Sequence, residues 1–171
     1  MNILAGSFKG RKIITRPDLD YRPTTGIVRK SLFEILGPLT DLVVLDLFAG
    51  TGILGFEAAS RGAAQVVFVE IQQQAVKLLH ANIRKFPETR FDVIRGDVSG
   101  YLHDCPVFDL ILADPPYGKV DMARLIDSSR LKLGQSGKFI LESSIRDKLP
   151  EGYSREKRFG ETRITIWEPL T

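Results

Sequence analysis

The chain has 171 residues, of which 43% are hydrophobic and 26% charged; this suits one folded domain and excludes a disordered or fibrous class and a second full domain. The net charge of +3 is uneven: residues 1–40 carry seven basic and three acidic side chains, while the remaining 131 residues carry 17 and 18, so a basic arm suited to a polyanion precedes a near-neutral body. A lone Cys105 with only His80 and His103 beside it excludes an internal disulfide and gives no expectation of a metal site; no apolar run approaches a membrane span of about 18 residues, and the N-terminus lacks signal-peptide character, so a cytoplasmic protein without membrane contact is expected.

Ile3 to Ala5 and Arg11 to Ile14 are short strand-like runs around Gly6-Ser7-Phe8-Lys9-Gly10, and residues 2–15 read as a β-hairpin with a basic tip. After a loop from Arg16 to Pro23, Thr24 or Thr25 is placed to cap a helix running to about Leu36. Its apolar stripe is Val28, Leu32, Ile35 and Leu36, with Arg29 and Lys30 facing elsewhere. Phe8, Lys9, Arg11, Lys12, Arg22, Thr24 and Arg29 are the candidate nucleic-acid contacts of this basic region.

From Leu42 strand and helix signals alternate, as in βαβ units with a parallel sheet. The expected strands are Val43–Leu47, Val66–Glu70, Phe91–Ile94, Asp109–Ala113 and Lys138–Glu142, with a closing hairpin over Tyr153–Trp167. Helices are expected over Ile53–Ser60, Gln72–Lys85 and Leu125–Leu131, with a short helix or loop at Tyr101 and Leu102. Four of the strands lead into an acid at or just past the C-terminal end: Asp46, Glu70, Asp97 and Asp114. In an open α/β sheet ligands bind outside the carboxyl ends of the strands, so these acids point to one cleft.

Asp46-Leu-Phe-Ala-Gly-Thr-Gly-Ile-Leu-Gly55 contains G-x-G-x-x-G, with Glu70 following 18 residues after Gly52, and by itself matches a dinucleotide-binding turn. A carboxylate at Asp46, four residues before the first glycine, would repel pyrophosphate. It suits instead the ammonium of S-adenosylmethionine, whose carboxylate a helix N-terminus favours. Asp46, Phe48, Gly50, Thr51 and Gly52 are then the candidate cofactor contacts of the loop. Glu70 is expected to accept from the ribose hydroxyls, Asp97 to accept from the adenine amine, and Val98 to supply a backbone donor.

The apolar run Phe108 to Ala113 stops on Asp114-Pro115-Pro116-Tyr117. Neither proline has an N–H, so the strand ends in a rigid corner that presents a carboxylate, the Pro115 carbonyl and a ring to a planar amine. Asp46-Leu-Phe-Ala-Gly-Thr-Gly, Glu70, Asp97 and Asp114-Pro-Pro-Tyr117 resemble the motifs of class I amino-methyltransferases. Ala5-Gly-Ser-Phe-Lys-Gly-Arg-Lys12 and Arg22-Pro-Thr-Thr-Gly-Ile-Val-Arg-Lys-Ser-Leu-Phe33 are similar to the N-terminal signature of the bacterial small-subunit ribosomal RNA (guanine-N2)-methyltransferase family.

The resemblance implies a Rossmann-like α/β fold with a seven-stranded, mostly parallel sheet of order 3-2-1-4-5-7-6. Residues 1–40 would form an RNA-contacting appendage and residues 41–171 the S-adenosylmethionine-binding catalytic domain. The expected partner is ribosomal RNA within the small subunit or an assembly intermediate, and the expected state a monomer. Asp114, Pro115 and Tyr117 would carry the chemistry: the carboxylate and carbonyl accept the two amine protons, and the ring stacks on the base. That corner alone leaves adenine N6 as open as guanine N2. A non-catalytic RNA-binding assembly factor and a nicotinamide-dependent enzyme are the rivals from other classes.

Overall fold

The computed structural model of the chain describes residues 1–16 and 25–170. Helix α1 (Gly26–Leu36) precedes the strands β1 (Val43–Leu47), β2 (Gln65–Glu70), β3 (Arg90–Arg95), β4 (Phe108–Ala113), β5 (Leu133–Ser144), β6 (Arg155–Phe159) and β7 (Thr162–Trp167). Between them lie α2 (Ile53–Ser60), α3 (Gln73–Ile83), α4 (Val98–Asp104) and α5 (Met122–Arg130). The sheet has seven strands in the order β3-β2-β1-β4-β5-β7-β6, parallel except where β7 pairs with β5 and β6. This is the expected order and class. β5 starts earlier than its apolar run suggests, across an irregular register at Phe108 and Leu110, and α5 starts at Met122, capped by the Asp121 carboxylate, which accepts from the Arg124 N–H at 3.1 Å.

Alternation along the strands divides the core. Val44, Val66, Phe68, Leu110, Leu112 and Ile140 face α1, α2 and Leu79 of α3. Leu45, Leu47, Val67, Ile111, Phe139 and Leu141 face α4 and α5. Every residue of α2 is buried, and a helix apolar all round must be covered on both sides. The sheet covers one side; Ile3, Phe8 and Ile13 of the N-terminal segment join the same cluster with Val28, Leu32 and Phe33 of α1.

The N-terminal segment reverses as a hairpin would, but it forms one isolated bridge, Asn2 with Lys12, and not two strands. Across the reversal the Ile3, Gly10 and Ile13 N–H groups donate to the Arg11, Ile3 and Met1 carbonyls at 3.0, 2.9 and 2.8 Å, while other backbone donors go to helices. The Leu4 and Ala5 N–H groups donate to the Glu57 carboxylate at 2.8 and 3.1 Å, and the Phe8 N–H donates to Ser60 Oγ at 2.9 Å. The Ile14 N–H donates to Asn82 Oδ1 at 2.8 Å, while Asn82 Nδ2 donates back to the Ile14 carbonyl at 3.0 Å. Gly6 has φ +84°, and a Cβ there would lie 1.7 Å from the Ser60 carbonyl oxygen. Gly6→Ala is therefore expected to destabilise the fold by about 2–5 kcal/mol, combining overpacking with a left-handed backbone; urea unfolding measures it, and an unchanged midpoint would show that the segment docks differently.

Candidate active site

The parallel register assembles the acids. Asp46 pairs with Phe68 on one side and Leu112 on the other, so Glu70 and Asp114 each stand two residues further along the flanking strands, on the face shared by Val44, Phe68 and Leu112. Asp46 and Glu70 are buried and Asp114 is half-buried. The Gly55 N–H donates to Asp46 Oδ2 at 2.9 Å. In Glu70, Oε2 accepts from the Gly50 N–H at 2.8 Å and Oε1 from the Gln72 N–H at 2.7 Å, leaving a lone pair on each oxygen for a further donor. One carboxylate thus holds the glycine loop and the start of the next connection together.

Between Asp46 and α2 the backbone turns through positive φ at Phe48 (56°), Gly50 (52°) and Gly52 (75°). A Cβ on Gly52 would lie 2.5 Å from Leu79 Cδ2, and one on Gly55 would lie 2.3 Å from Phe68 Cε1. These two glycines are therefore required by close packing of α2 against the sheet and α3. Phe48 holds a left-handed backbone at a bulky residue, which costs about 1–2 kcal/mol, and packs half-buried against the cluster on the α4 side. Thr51 is buried in the turn.

Asp97 is exposed and caps α4, its Oδ2 accepting from the Gly100 N–H at 2.9 Å, with Val98 buried as the first helical residue. On the other side of the cleft Pro115 is buried and Tyr117 half-buried. The Lys119 N–H donates to the Pro116 carbonyl at 3.3 Å and Gly118 sits at φ 67°, so the chain turns away directly after the ring. Register thus brings Asp46, Glu70 and Asp114 to one edge, with Asp97 two residues past the end of β3.

Burial pushes the Asp46 carboxyl well above its usual range; the Gly55 N–H opposes this, and the charges of Asp114 and Glu70 add to it. The unfolded value is about 3.9. Asp46 therefore contributes stability that is fully present below that pH and lost as pH rises through the raised folded-state value. Asp46→Asn, which retains an acceptor for Gly55, is expected to gain stability relative to the native chain as pH is raised from about 4 towards neutrality. Urea midpoints across that range check it, and a constant difference would contradict it.

Two of the basic-region assignments are corrected. Phe8 is buried, meets Phe86 edge-on at 4.9 Å between centroids, and lies under the Arg11 guanidinium at 4.4 Å; its ring is core and is not available to a base. Arg29 is only 4% exposed, donates from Nη2 to the Asn2 carbonyl at 2.8 Å and stands 3.7 Å from Glu57, so it does not face outward with Lys30. Lys9 and Lys12 are exposed and Arg11 is half-buried. Arg22 and Thr24 lie outside the described residues, and it is Thr25 that caps α1, accepting from the Val28 N–H at 3.4 Å.

Two further residues border the site. Ile71 directly follows Glu70 and is 62% exposed, a large apolar side chain open to solvent next to one of the acids. Glu142 follows Leu141, the register partner of Ala113, as Asp114 follows Ala113. Its signal was available in the sequence, because it ends the apolar run Phe139 to Leu141 as the other acids end theirs. Among the described residues no cluster of His, Cys, Asp and Glu is placed to hold a metal ion, and no helix is long and apolar enough to cross a membrane.

Residues 1–168 match the family described as conserved hypothetical protein 95. The chain is 32% identical over 182 residues to the Bacillus subtilis protein named "Putative rRNA methyltransferase YlbH", covering 98% of each. It is 27% identical to ribosomal RNA small subunit methyltransferase D of Escherichia coli K12, covering 98% of this chain and 89% of that one. The solved structure of Escherichia coli yhhF, described as a putative methyltransferase, superposes with a TM-score of 0.88 at 27% identity and 99% coverage of both chains.

Proposed function

Because the chain belongs to the conserved hypothetical protein 95 family, with relatives named as ribosomal RNA small subunit methyltransferases, we propose that it transfers a methyl group from S-adenosylmethionine to the exocyclic N2 amine of a guanine in small-subunit ribosomal RNA. The observation that carries the reading is the convergence of Asp46, Glu70 and Asp114 on one face of the sheet edge, where the charges of Glu70 and Asp114 raise the cost of a charge on the buried Asp46. A cationic ligand relieves that cost; a pyrophosphate would add to it. The residues therefore fit S-adenosylmethionine and disfavour a nicotinamide dinucleotide.

In this reading Asp46 and the turn Phe48 to Gly52 hold the methionine end at the start of α2. Glu70 accepts from the ribose through its remaining lone pairs, Asp97 and Val98 border the adenine, and Ile71 covers a face of it. When bound, the cofactor supplies a methyl group on an electrophilic sulfonium. The chain's own contribution is to make a poor nucleophile aim correctly. An aromatic amine delocalises its lone pair into the ring; Asp114 and the Pro115 carbonyl each accept a hydrogen bond from one amine N–H, which turns the lone pair out of that plane. Tyr117 stacks on the base, worth about 1–3 kcal/mol. Asp114 is then placed to take the proton released after transfer. Orientation of this kind can supply roughly 7–11 kcal/mol, more than the factor of about 10²–10⁴ expected from a proton acceptor.

Residues 1–40 serve, in this reading, as a basic appendage to the catalytic body of residues 41–171. With Phe8 and Arg29 buried, RNA contact falls to Lys9, Arg11 and Lys12, joined by Arg22 and Thr24. The base must leave its stack to reach Asp114, and the accessible substrate is the small subunit or an assembly intermediate, met by a cytoplasmic monomer. Transfer of labelled methyl from S-adenosylmethionine to naked ribosomal RNA, small subunits and duplex DNA tests the proposal. Label in small subunits is expected; label confined to DNA, or no binding of S-adenosylmethionine by calorimetry, would refute it.

A further inference from the structure

Resting on that reading, we infer that Glu142 selects guanine by accepting its N1–H beside the amine held at Asp114. The register carries the inference. Leu112 pairs with Ile140 and Ala113 with Leu141, so the next row places Glu142 next to Asp114 across a strand spacing of about 4.8 Å. Glu142 also pairs with Ile164 of β7, whose side chain lies in the cluster on the α2 face, so it stands on the same side of the sheet as Asp46, Glu70 and Asp114. It is half-buried, where a charge-assisted hydrogen bond is stronger than in water.

A base read on its Watson–Crick edge presents different groups there. Guanine offers two adjacent donors, N1–H and the N2 amine. Adenine offers the N6 amine next to a bare N1 acceptor. Two neighbouring carboxylates are acceptors only: they match the guanine pair, with Asp114 on the amine and Glu142 on N1–H. Against adenine, Glu142 would face a lone pair, an arrangement that leaves both acceptors unsatisfied and repelling. The discrimination that Asp114-Pro-Pro-Tyr117 cannot make is thereby assigned to β5.

The test compares native chain, Glu142→Ala and Glu142→Gln on small subunits assembled with either guanosine or 2-aminopurine ribonucleotide at the methylated position. 2-Aminopurine keeps the exocyclic amine and lacks N1–H. Glu142→Ala is expected to lose about 10- to 100-fold in kcat/KM on guanosine with calorimetric affinity for S-adenosylmethionine unchanged, and Glu142→Gln, which keeps an acceptor oxygen, to lose less. The native chain should disfavour 2-aminopurine by a similar factor, and Glu142→Ala should not distinguish the two bases. Unchanged kcat/KM in Glu142→Ala, or equal discrimination by native and variant chains, would overturn this inference while leaving guanine methylation in place. Production of N6-methyladenosine by the native chain would overturn both.

Discussion

Replacing Asp114 with alanine is expected to reduce methyl transfer by about 10²–10⁴-fold while binding of S-adenosylmethionine persists. The carboxylate lies at the edge of β4 beside the buried Asp46, and its charge reaches that group. In the mechanism it meets the amine and not the cofactor. Asp114→Asn separates its two roles: the amide oxygen still accepts an amine N–H, but it cannot take the proton released after transfer. Single-turnover rates with saturating cofactor measure the loss, and calorimetry measures the affinity. Full turnover in Asp114→Ala would remove this side chain from the mechanism.

Loss of Glu57 is expected to be the most damaging change to stability. Its carboxylate is fully buried in α2. It accepts from the Leu4 and Ala5 N–H groups, pairs with Arg61 Nη2 at 2.9 Å and stands 3.7 Å from Arg29 Nε. Burial and the neighbouring Arg61 charge lower the Arg29 pKa, and Glu57 opposes them. Glu57→Ala strands a buried cation, and breaking a buried pair from one side costs about 3–5 kcal/mol. For a domain of this size that corresponds to a melting temperature lower by about 6–20 °C. The unpaired Leu4 and Ala5 amides should also exchange faster with solvent. A fall of less than about 2 °C would show that the N-terminal segment is held by its apolar contacts alone.

The sheet was legible because each strand is a short apolar run bounded by turn residues, and the acids were legible because they end those runs. What the residues could not disclose was what covers α2. Arg29 sits one position from the apolar stripe of α1, and helical periodicity alone sends it outward; it is buried because Asn2 and Glu57, 27 and 28 residues away in sequence, meet it there. Phe8 looked like a ring on a basic loop. Its burial depends on Phe86 and on Ser60 drawing the Phe8 amide inward, contacts between segments that no local pattern records. The predicted hairpin reverses as expected, with Ile3, Gly10 and Ile13 donating across it, but it forms no regular strands, since the amides of Leu4, Ala5, Phe8 and Ile14 find partners on helices. Much of the N-terminal signature is thus architecture: Gly6 allows the approach to Ser60, Phe8 meets Phe86 edge-on, and the Arg11 guanidinium lies over the Phe86 ring.

That burial also ties the basic segment to the site. The helix that Glu57 and Ser60 use to hold residues 4–8 begins directly after Gly52, its cap residue and the last of the turn that follows Asp46. In the proposed reading, an RNA drawn to Lys9 and Lys12 is brought to the segment packed on the same helix that follows the candidate cofactor turn. Under that reading docking and chemistry share α2 as a framework, the kind of positioning that gives orientation its leverage on the rate.

The most direct measurement is the identity of the methylated nucleoside after the native chain has acted on small subunits with labelled S-adenosylmethionine. Digestion and nucleoside analysis should recover the label as N2-methylguanosine. Recovery of the label as N6-methyladenosine alone would contradict the account.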